Sequence, residues 1–214
     1  RLLRLLNGLD ERAETWINTT GDGLTPELLA NLKNAGLFGV MVSVHSTDPR
    51  THDAFTGVEG AFDKACETLR QFRAHNLVTA INSVLSEKEV REGKLGDLMD
   101  LARDVDCDYV QLIHPKPAGT WIGRQEDMQT DPAVIAQLQR AHLHYNSRET
   151  PRHPALAAQV FEEAHELLGC TAGGVDRFYL NAHGEVQPCE FLNISFGNVA
   201  EEPFPHVFNR MREH

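Results

Sequence analysis

The chain has 214 residues, 41% hydrophobic and 24% charged, the size and balance of one large globular domain or of a domain with a small appendage. A formal net charge of −11 argues against non-specific nucleic-acid binding, which needs clustered Lys and Arg, and no run approaches the ~18 apolar residues of a membrane span. Cys66, Cys107, Cys170 and Cys189 are too widely and unevenly spaced for a secreted disulfide framework, and the opening RLLRLLNGLDER is amphipathic without a small-residue cleavage site. A cytoplasmic chain is expected. Arg1 stands inside a helical pattern with no Met before it, so the sequence reads as a segment of a longer protein.

In chain order, residues 2–9 set leucine at 2, 3, 5, 6 and 9, a helical face that stops near Gly8. Residues 14–20 (ETWINTT) predict a strand, ended by the turn Gly21-Asp22-Gly23. Thr25 then caps a helix with Pro26 at its first position, closing at Gly36. Residues 39–45 are short and almost continuously apolar, the sign of a strand buried on both faces. The stretch STDPRTHDAFTGVEG reads as a loop leading to a helix over 61–75. Residues 77–85 predict a strand, 88–105 a helix despite Gly93 and Gly96, and 109–114 a strand broken by Pro115 and Pro117. Helices follow over 132–148 and 154–168. Four strands alternating with helices predict a parallel sheet of βαβ units, with a domain boundary between 147 and 170. Beyond it a hairpin goes out over 177–181, reverses at His183-Gly184 and returns over 185–188, with Phe178 and Leu180 as its half-buried positions.

Ligands of α/β sheets bind at the C-terminal ends of the strands. Those ends carry Thr19 and Thr20, Ser43 and His45, Asn82 and Ser83, then Gln111 and His114. Any one of them reads equally as a partner for loop backbone; four polar strand ends together predict a small-ligand cleft. Gly21 and Gly23 match no phosphate-loop spacing. His52 and Asp53 fit a general acid/base pair, but lying before Gly57 and Gly60 they read rather as a cap or loop brace. His142, His144, His153, His165, His183, His206 and His214 show no metal-ligand spacing such as HExxH. Cys66 and Cys107 read as buried small hydrophobes. Cys170 and Cys189 flank the hairpin and can ligate a metal, pair or be buried; two thiols are fewer than the three or four ligands of a zinc or iron–sulfur site.

Residues 14–114 resemble the radical S-adenosylmethionine (radical SAM) superfamily. The carriers are INTTGDGLTPELLANLKNAGL, VMVSVHSTDPRTHDAFTGVEGAFDKACETLRQFRAHNL and INSVLSEKEVREGKLGDLMDLARDVDCDYVQL, which look like strands three to six of that family's partial (β/α)6 TIM-like barrel. From Cys170 the chain is similar to the SPASM/Twitch extension: 13 residues lead to Gly184 and four more to Cys189, and FGNVAEEPFPHVFNRM resembles the Gly-Asn segment and helix that follow. The resemblance implies an α/β fold with the core barrel in 1–150, then a linker helix and a small hairpin-plus-helix auxiliary domain in 151–214. It implies an enzyme that cleaves S-adenosylmethionine at a [4Fe–4S] cluster, giving a 5′-deoxyadenosyl radical that takes a hydrogen from a peptide or a cofactor precursor, with an electron-donor protein as partner. By the same resemblance Ser43, Asn82 and Ser83 touch the ribose or carboxylate of the cofactor. Gln111 to His114 flank the adenine, with Thr20 and His45 beside them, and Cys170 and Cys189 ligate an auxiliary iron–sulfur cluster. No side chain is assigned a catalytic role.

The sequence departs from the family in containing neither the CxxxCxxC motif of the catalytic cluster, nor the Gly-Gly-Glu segment, nor the later SPASM cysteines. The expectation is that these lie before Arg1 and after His214, which leaves the 214 residues inactive alone. The competing reading is a non-catalytic α/β binding domain with structural zinc, or no metal, at Cys170 and Cys189.

Overall fold

The computed structural model describes residues 1–116, 118–119, 122–123, 130–147, 154–162, 164 and 169–213. These fall into two compact units, Arg1–His114 with Asp131–Phe161, and Pro115–Thr130 with Glu162–His214.

The first unit is an α/β layer structure. Helix α1 (Leu2–Leu6) precedes β1 (Thr15–Thr19), α2 (Pro26–Asn34), β2 (Leu37–Ser43), α3 (Pro49–Thr56), α4 (Ala61–Ala74), β3 (Val78–Val84), α5 (Glu87–Arg91), α6 (Lys94–Asp104), β4 (Tyr109–Ile113), α7 (Pro132–Tyr145), β5 (Ala155–Ala158) and α8 (Gln159–Glu162). All five strands are parallel and stand in sequential order, β1 to β5, as repeated βα units give. Local chemistry sets the helix ends. Thr25 accepts from the backbone N–H of Leu28 at 3.1 Å, and Ser86 with Glu89 forms a capping box at the start of α5.

Three expectations are corrected. The predicted loop after β2 holds α3: Asp48 caps it by accepting from the Thr51 N–H at 2.8 Å, Pro49 opens it, and Gly57 closes it in the left-handed region. The single helix over 88–105 is two, α5 and α6, separated at Gly93 (φ +81°). The predicted helix over 154–168 is β5 followed by the one-turn α8. The alanines of ALAA favour a helix locally, but pairing with β4 and the burial of Leu156 (1% exposed) decide for strand. The first unit runs to Phe161, so β5 stays with its sheet. Pro117, His153, His165, His214 and the predicted helical residues 148, 163 and 165–168 lie outside the described residues.

Paired residues of neighbouring parallel strands point to the same face, so the register sorts the side chains. Ile17, Val40, Val42, Ile81, Val110, Leu112, Leu156 and Ala158 face the helices and join Leu29, Leu32, Leu69, Phe72, Leu98, Met99 and Leu138 in the core. Cys66 and Cys107 are buried there, as expected; burial raises both thiols, Cys107 to about 11. The opposite face holds Trp16 laid across Gly39, where a Cβ would stand 2.5 Å from the indole. That indole lies 5.8 Å from the ring of Tyr109, three strands away. Three strand spacings in a flat sheet would be about 14 Å, so the sheet curls towards this face. The edge strand β5 is covered by α7: Asn146 bonds both the carbonyl and the N–H of Leu156 (2.7 and 3.3 Å), and His142 Nδ1 accepts from the Ala158 N–H.

In the second unit, β6 (Tyr179–Leu180) pairs antiparallel with β7 (Val186–Gln187) around Gly184 (φ +87°), at the predicted turn. A Cβ on Gly184 would meet Asn198 Oδ1 at 2.7 Å, because 196–199 runs back along β7. Helix α9 (Phe204–Arg212) packs Val207 and Met211 on Val186, with Phe196, Phe204 and Phe208 around them. Burial falls on the returning strand, not on Phe178 and Leu180 as predicted; these are 45% and 48% exposed, and Phe178 rests on the rings of Phe204 and Phe208. Among the described residues no helix is long and apolar enough to cross a membrane.

Candidate functional site

The concave face of the five-stranded sheet ends in one row of polar side chains. Ser43 pairs with Asn82, Asn82 with Gln111 and Gln111 with Ala157. Thr19 pairs with Val42, so the next residue, Thr20, stands beside Ser43. Four of the predicted site residues thus share one face and one level. Ala157 closes the row with a small side chain, which leaves room above it.

His45 lies two residues past Ser43, on the same face by alternation. Its ring is 4.4 Å from that of Phe55 and 6.1 Å, stacked, from that of His52. His45 Nδ1 and Asn82 Oδ1 are both buried and have no hydrogen-bond partner among the described residues. A buried polar atom without a partner costs about 1–3 kcal/mol, and two of them at adjacent strand ends mark a place where a ligand completes the bonding. Burial, then the neighbouring His52, push the His45 pKa down, so its ring is neutral near pH 7.

Behind this row His52 is 1% exposed. Its Nδ1 accepts from the His45 backbone N–H at 3.1 Å, which places the proton on Nε2, and burial lowers its pKa. Asp53 accepts from the N–H groups of Gly60 (2.6 Å) and Phe62 (2.9 Å), capping α4, and these bonds hold its carboxyl below the usual range. Asp53 is therefore the expected brace. His52 is more, because it also lines a cavity of about 300 Å³ with Thr20, Ser43 and Lys64. Lys64 gave no signal in the sequence: it sits on an ordinary helical face, and only the packing of α4 against β2 and β3 brings it to the strand ends.

Two predicted residues stand elsewhere. Ser83 pairs with Leu112 on the helix-covered face, is 0% exposed, and its Oγ has no partner among the described residues. The strand period of two turns it away from Asn82. The residue after β4, His114, is half-buried, and its backbone N–H donates to Gln159 Oε1 at 2.9 Å, so α8 holds that strand end. Cys170 is exposed and Cys189 half-buried, and neither is in a disulfide. Among the described residues no group of three or more His, Cys, Asp or Glu is placed to hold a metal ion.

Comparison with known proteins fits this geometry. The family model described as Radical SAM superfamily matches residues 1–101. Those 101 residues, a little under half of the chain, are similar to the radical SAM superfamily. It is 24% identical over 229 aligned positions to the AdoMet-dependent heme synthase of Methanosarcina barkeri, covering 96% of this chain and 65% of that protein. It is 24% identical to the antilisterial bacteriocin subtilosin biosynthesis protein AlbA of Bacillus subtilis, over 86% of this chain and 39% of that one. Among solved structures, Streptococcus suis SuiB superposes with a TM-score of 0.73 at 15% identity, covering 97% of this chain and 51% of SuiB. The chain thus spans less than two thirds of the length of these relatives, and the fold it shares with SuiB is the α/β core described above.

Proposed function

We propose that this chain is the S-adenosylmethionine-binding part of a radical SAM enzyme that modifies a peptide or a cofactor precursor. The observation that carries the reading is the pair of buried, unpartnered atoms, His45 Nδ1 and Asn82 Oδ1, at the end of a row that also offers Thr20, Ser43 and Gln111. These are the donors and acceptors that a ribose, a carboxylate and an adenine edge require, so the residues fit the cofactor. When bound beside a reduced [4Fe–4S] cluster, S-adenosylmethionine supplies a hydrogen-abstracting radical. The chain's own part is to bind and orient: Ser43 and Asn82 take the ribose or carboxylate, Gln111 and the strand end at His114 flank the adenine, and the curled sheet with Trp16 and Tyr109 beneath excludes water from below.

The relatives support the two substrate classes: one is a heme synthase, one serves bacteriocin synthesis, and SuiB has been solved with a precursor peptide at a TM-score of 0.69. We read the C-terminal hairpin and helix as a SPASM/Twitch-type module and an electron-donor protein as partner. Within these residues the clusters themselves do not fit. The sequence has no CxxxCxxC, and Cys170 and Cys189 are two thiols without a third ligand among the described residues.

The test is calorimetric binding of S-adenosylmethionine to the chain. Asn82→Ala is expected to weaken binding about tenfold, the worth of one good hydrogen bond, and Ser83→Ala to leave it unchanged. Equal binding by all three proteins would remove the row as the site. No 5′-deoxyadenosine is expected from these 214 residues alone. A longer form that carries the CxxxCxxC motif yet takes up no iron and sulfide on anaerobic reconstitution would sink the enzyme reading.

A further inference from the structure

The concave face carries a second feature below the polar row. One layer down, the register aligns Asn18, Met41, Ala80, Tyr109 and Ala155, and the layer beneath holds Trp16, Gly39 and Val78. Trp16 crosses β2 over Gly39, where a Cβ would meet its ring at 2.5 Å, and Ala80 on β3 offers only a methyl group. These two small residues form the bed on which the indole reaches Tyr109 on β4, with ring centroids 5.8 Å apart and the planes at 73°. Tyr109 in turn stands two residues before Gln111 on the same face of its strand, about 6.6 Å below the row.

A floor that only filled space would be served by any large apolar side chain, and Phe38, 5.5 Å from Trp16, is one. The two rings that meet across the sheet are instead an indole and a phenol, the aromatic side chains that give up an electron most readily. They touch edge to face with nothing between them, so an electron passes from one to the other without a bridge. Both are half-buried, so neither ring is sealed from water. Among the described residues Trp16 is the only tryptophan, since Trp121 lies outside them.

We infer that Tyr109 and Trp16 form a radical sink beneath the row. A carbon-centred radical that arises there and misses its substrate takes the hydrogen atom of the Tyr109 hydroxyl. A C–H bond forms, the weaker phenol O–H bond breaks, and the oxidation stays on Tyr109 as a tyrosyl radical. Trp16 then gives one electron to that ring; the tyrosyl oxygen takes up a proton from water and the indole nitrogen releases one. A small thiol from solution returns a hydrogen atom to the indole and is itself oxidised, two such thiols ending as one disulfide. The coupling of the two rings stands on geometry alone. That the oxidant is a carbon-centred radical rests on the radical SAM reading.

The test is pulse radiolysis of the chain without cofactor, in a Trp121→Phe background that leaves Trp16 as its only tryptophan. Azide radicals, which oxidise indole ahead of phenol, are the probe. The tryptophanyl radical made on Trp16 is expected to convert to tyrosyl in a first-order step that does not depend on protein concentration. Tyr109→Phe should abolish that conversion, whereas Tyr145→Phe and Tyr179→Phe should leave it unchanged. Conversion that survives in Tyr109→Phe, or whose rate scales with concentration, would overturn the inference. So would a Trp16 that azide radicals fail to oxidise, because the sink needs its indole within reach of small solutes. The first-order step in the chain with all three tyrosines is a result even if a variant fails to fold. In a longer form that carries the CxxxCxxC motif, Tyr109→Phe should raise covalent damage to the protein during turnover without substrate, read by mass spectrometry. Unchanged damage would remove the protective role, whereas a longer form that makes no radical at all fails the radical SAM reading and leaves the ring-to-ring transfer as measured.

Discussion

On the helix-covered face of the sheet Val40, Val42, Ile81, Val110 and Leu156 are at most 1% exposed, whereas the concave face carries Ser43, Asn82 and Gln111, all half-buried. Asn82 and Ser83 are neighbours in sequence and both keep an oxygen without a partner among the described residues, yet they lie on opposite faces. On the covered face such an atom is a cost with no use, because apolar packing leaves no space for a ligand. On the open face the same cost is an unfilled binding valence. The two faces teach that an unpartnered polar atom means nothing until its surroundings are known.

The largest break of that contrast is on the edge strand. Leu156→Ala should cost about 2–5 kcal/mol, as loss of a buried leucine does, read from denaturant midpoints, while Ala157→Ser one residue on should change stability by less than about 0.5 kcal/mol, as substitutions outside a packed core do. Equal losses would mean that 155–158 is not a strand with two unlike faces. Next, Gly39→Ala forces a Cβ into the indole of Trp16 and should cost about 1–3 kcal/mol; an unchanged midpoint would show that the indole does not lie across the strand. Ser83→Ala should stabilise by about 1 kcal/mol, since it removes a buried hydroxyl without a partner and keeps the shape of the site. A loss there would reveal a hydroxyl that is in fact bonded.

The smallest effect is with pH. Burial holds the folded pKa of His45 and His52 below the ordinary imidazole value of 6.5. Between that depressed value and about 6.5 the unfolded chain binds more protons than the folded one. Stability is therefore whole above about pH 6.5 and falls as the pH drops through this window. Midpoints at pH 7.5 and 5.5 should show the fall, and His52→Gln should lessen it; an equal slope in the variant would put its cause elsewhere. Asp53, also depressed, acts at lower pH and does not confound the window.

Much of the fold was legible because its signals are local. The short apolar run of β2, the Thr25-Pro26 start of α2 and the Gly184 turn each depend on a few residues' own backbone preferences. Helix α3 carries the same kind of local signal, Asp48-Pro49 at its start and Gly57 at its end, but was not legible because the polar run between them reads as a loop. Strand β5 was not legible, because Ala155, Ala157 and Ala158 carry no strand preference and only the β4 edge and α7 make them one. In the candidate site, Thr20, Ser43, Asn82 and Gln111 followed from their places at strand ends. Lys64 and the second role of His52 did not, since nothing in their spacing distinguishes them from a helical face and a loop brace.

The sequence by itself determined the alternation of strands and helices, the parallel order and the polar ends of four strands, because periodicity and turn chemistry act over a few residues. Only the tertiary structure decided which of those polar residues share a face. Register fixes that: a step of one residue carries Ser83 to the apolar core and leaves Asn82 on the concave side. The same holds for the cavity, whose Asp22, Ser43, His52 and Lys64 come from the turn after β1, the end of β2, α3 and α4 and meet only in the folded chain.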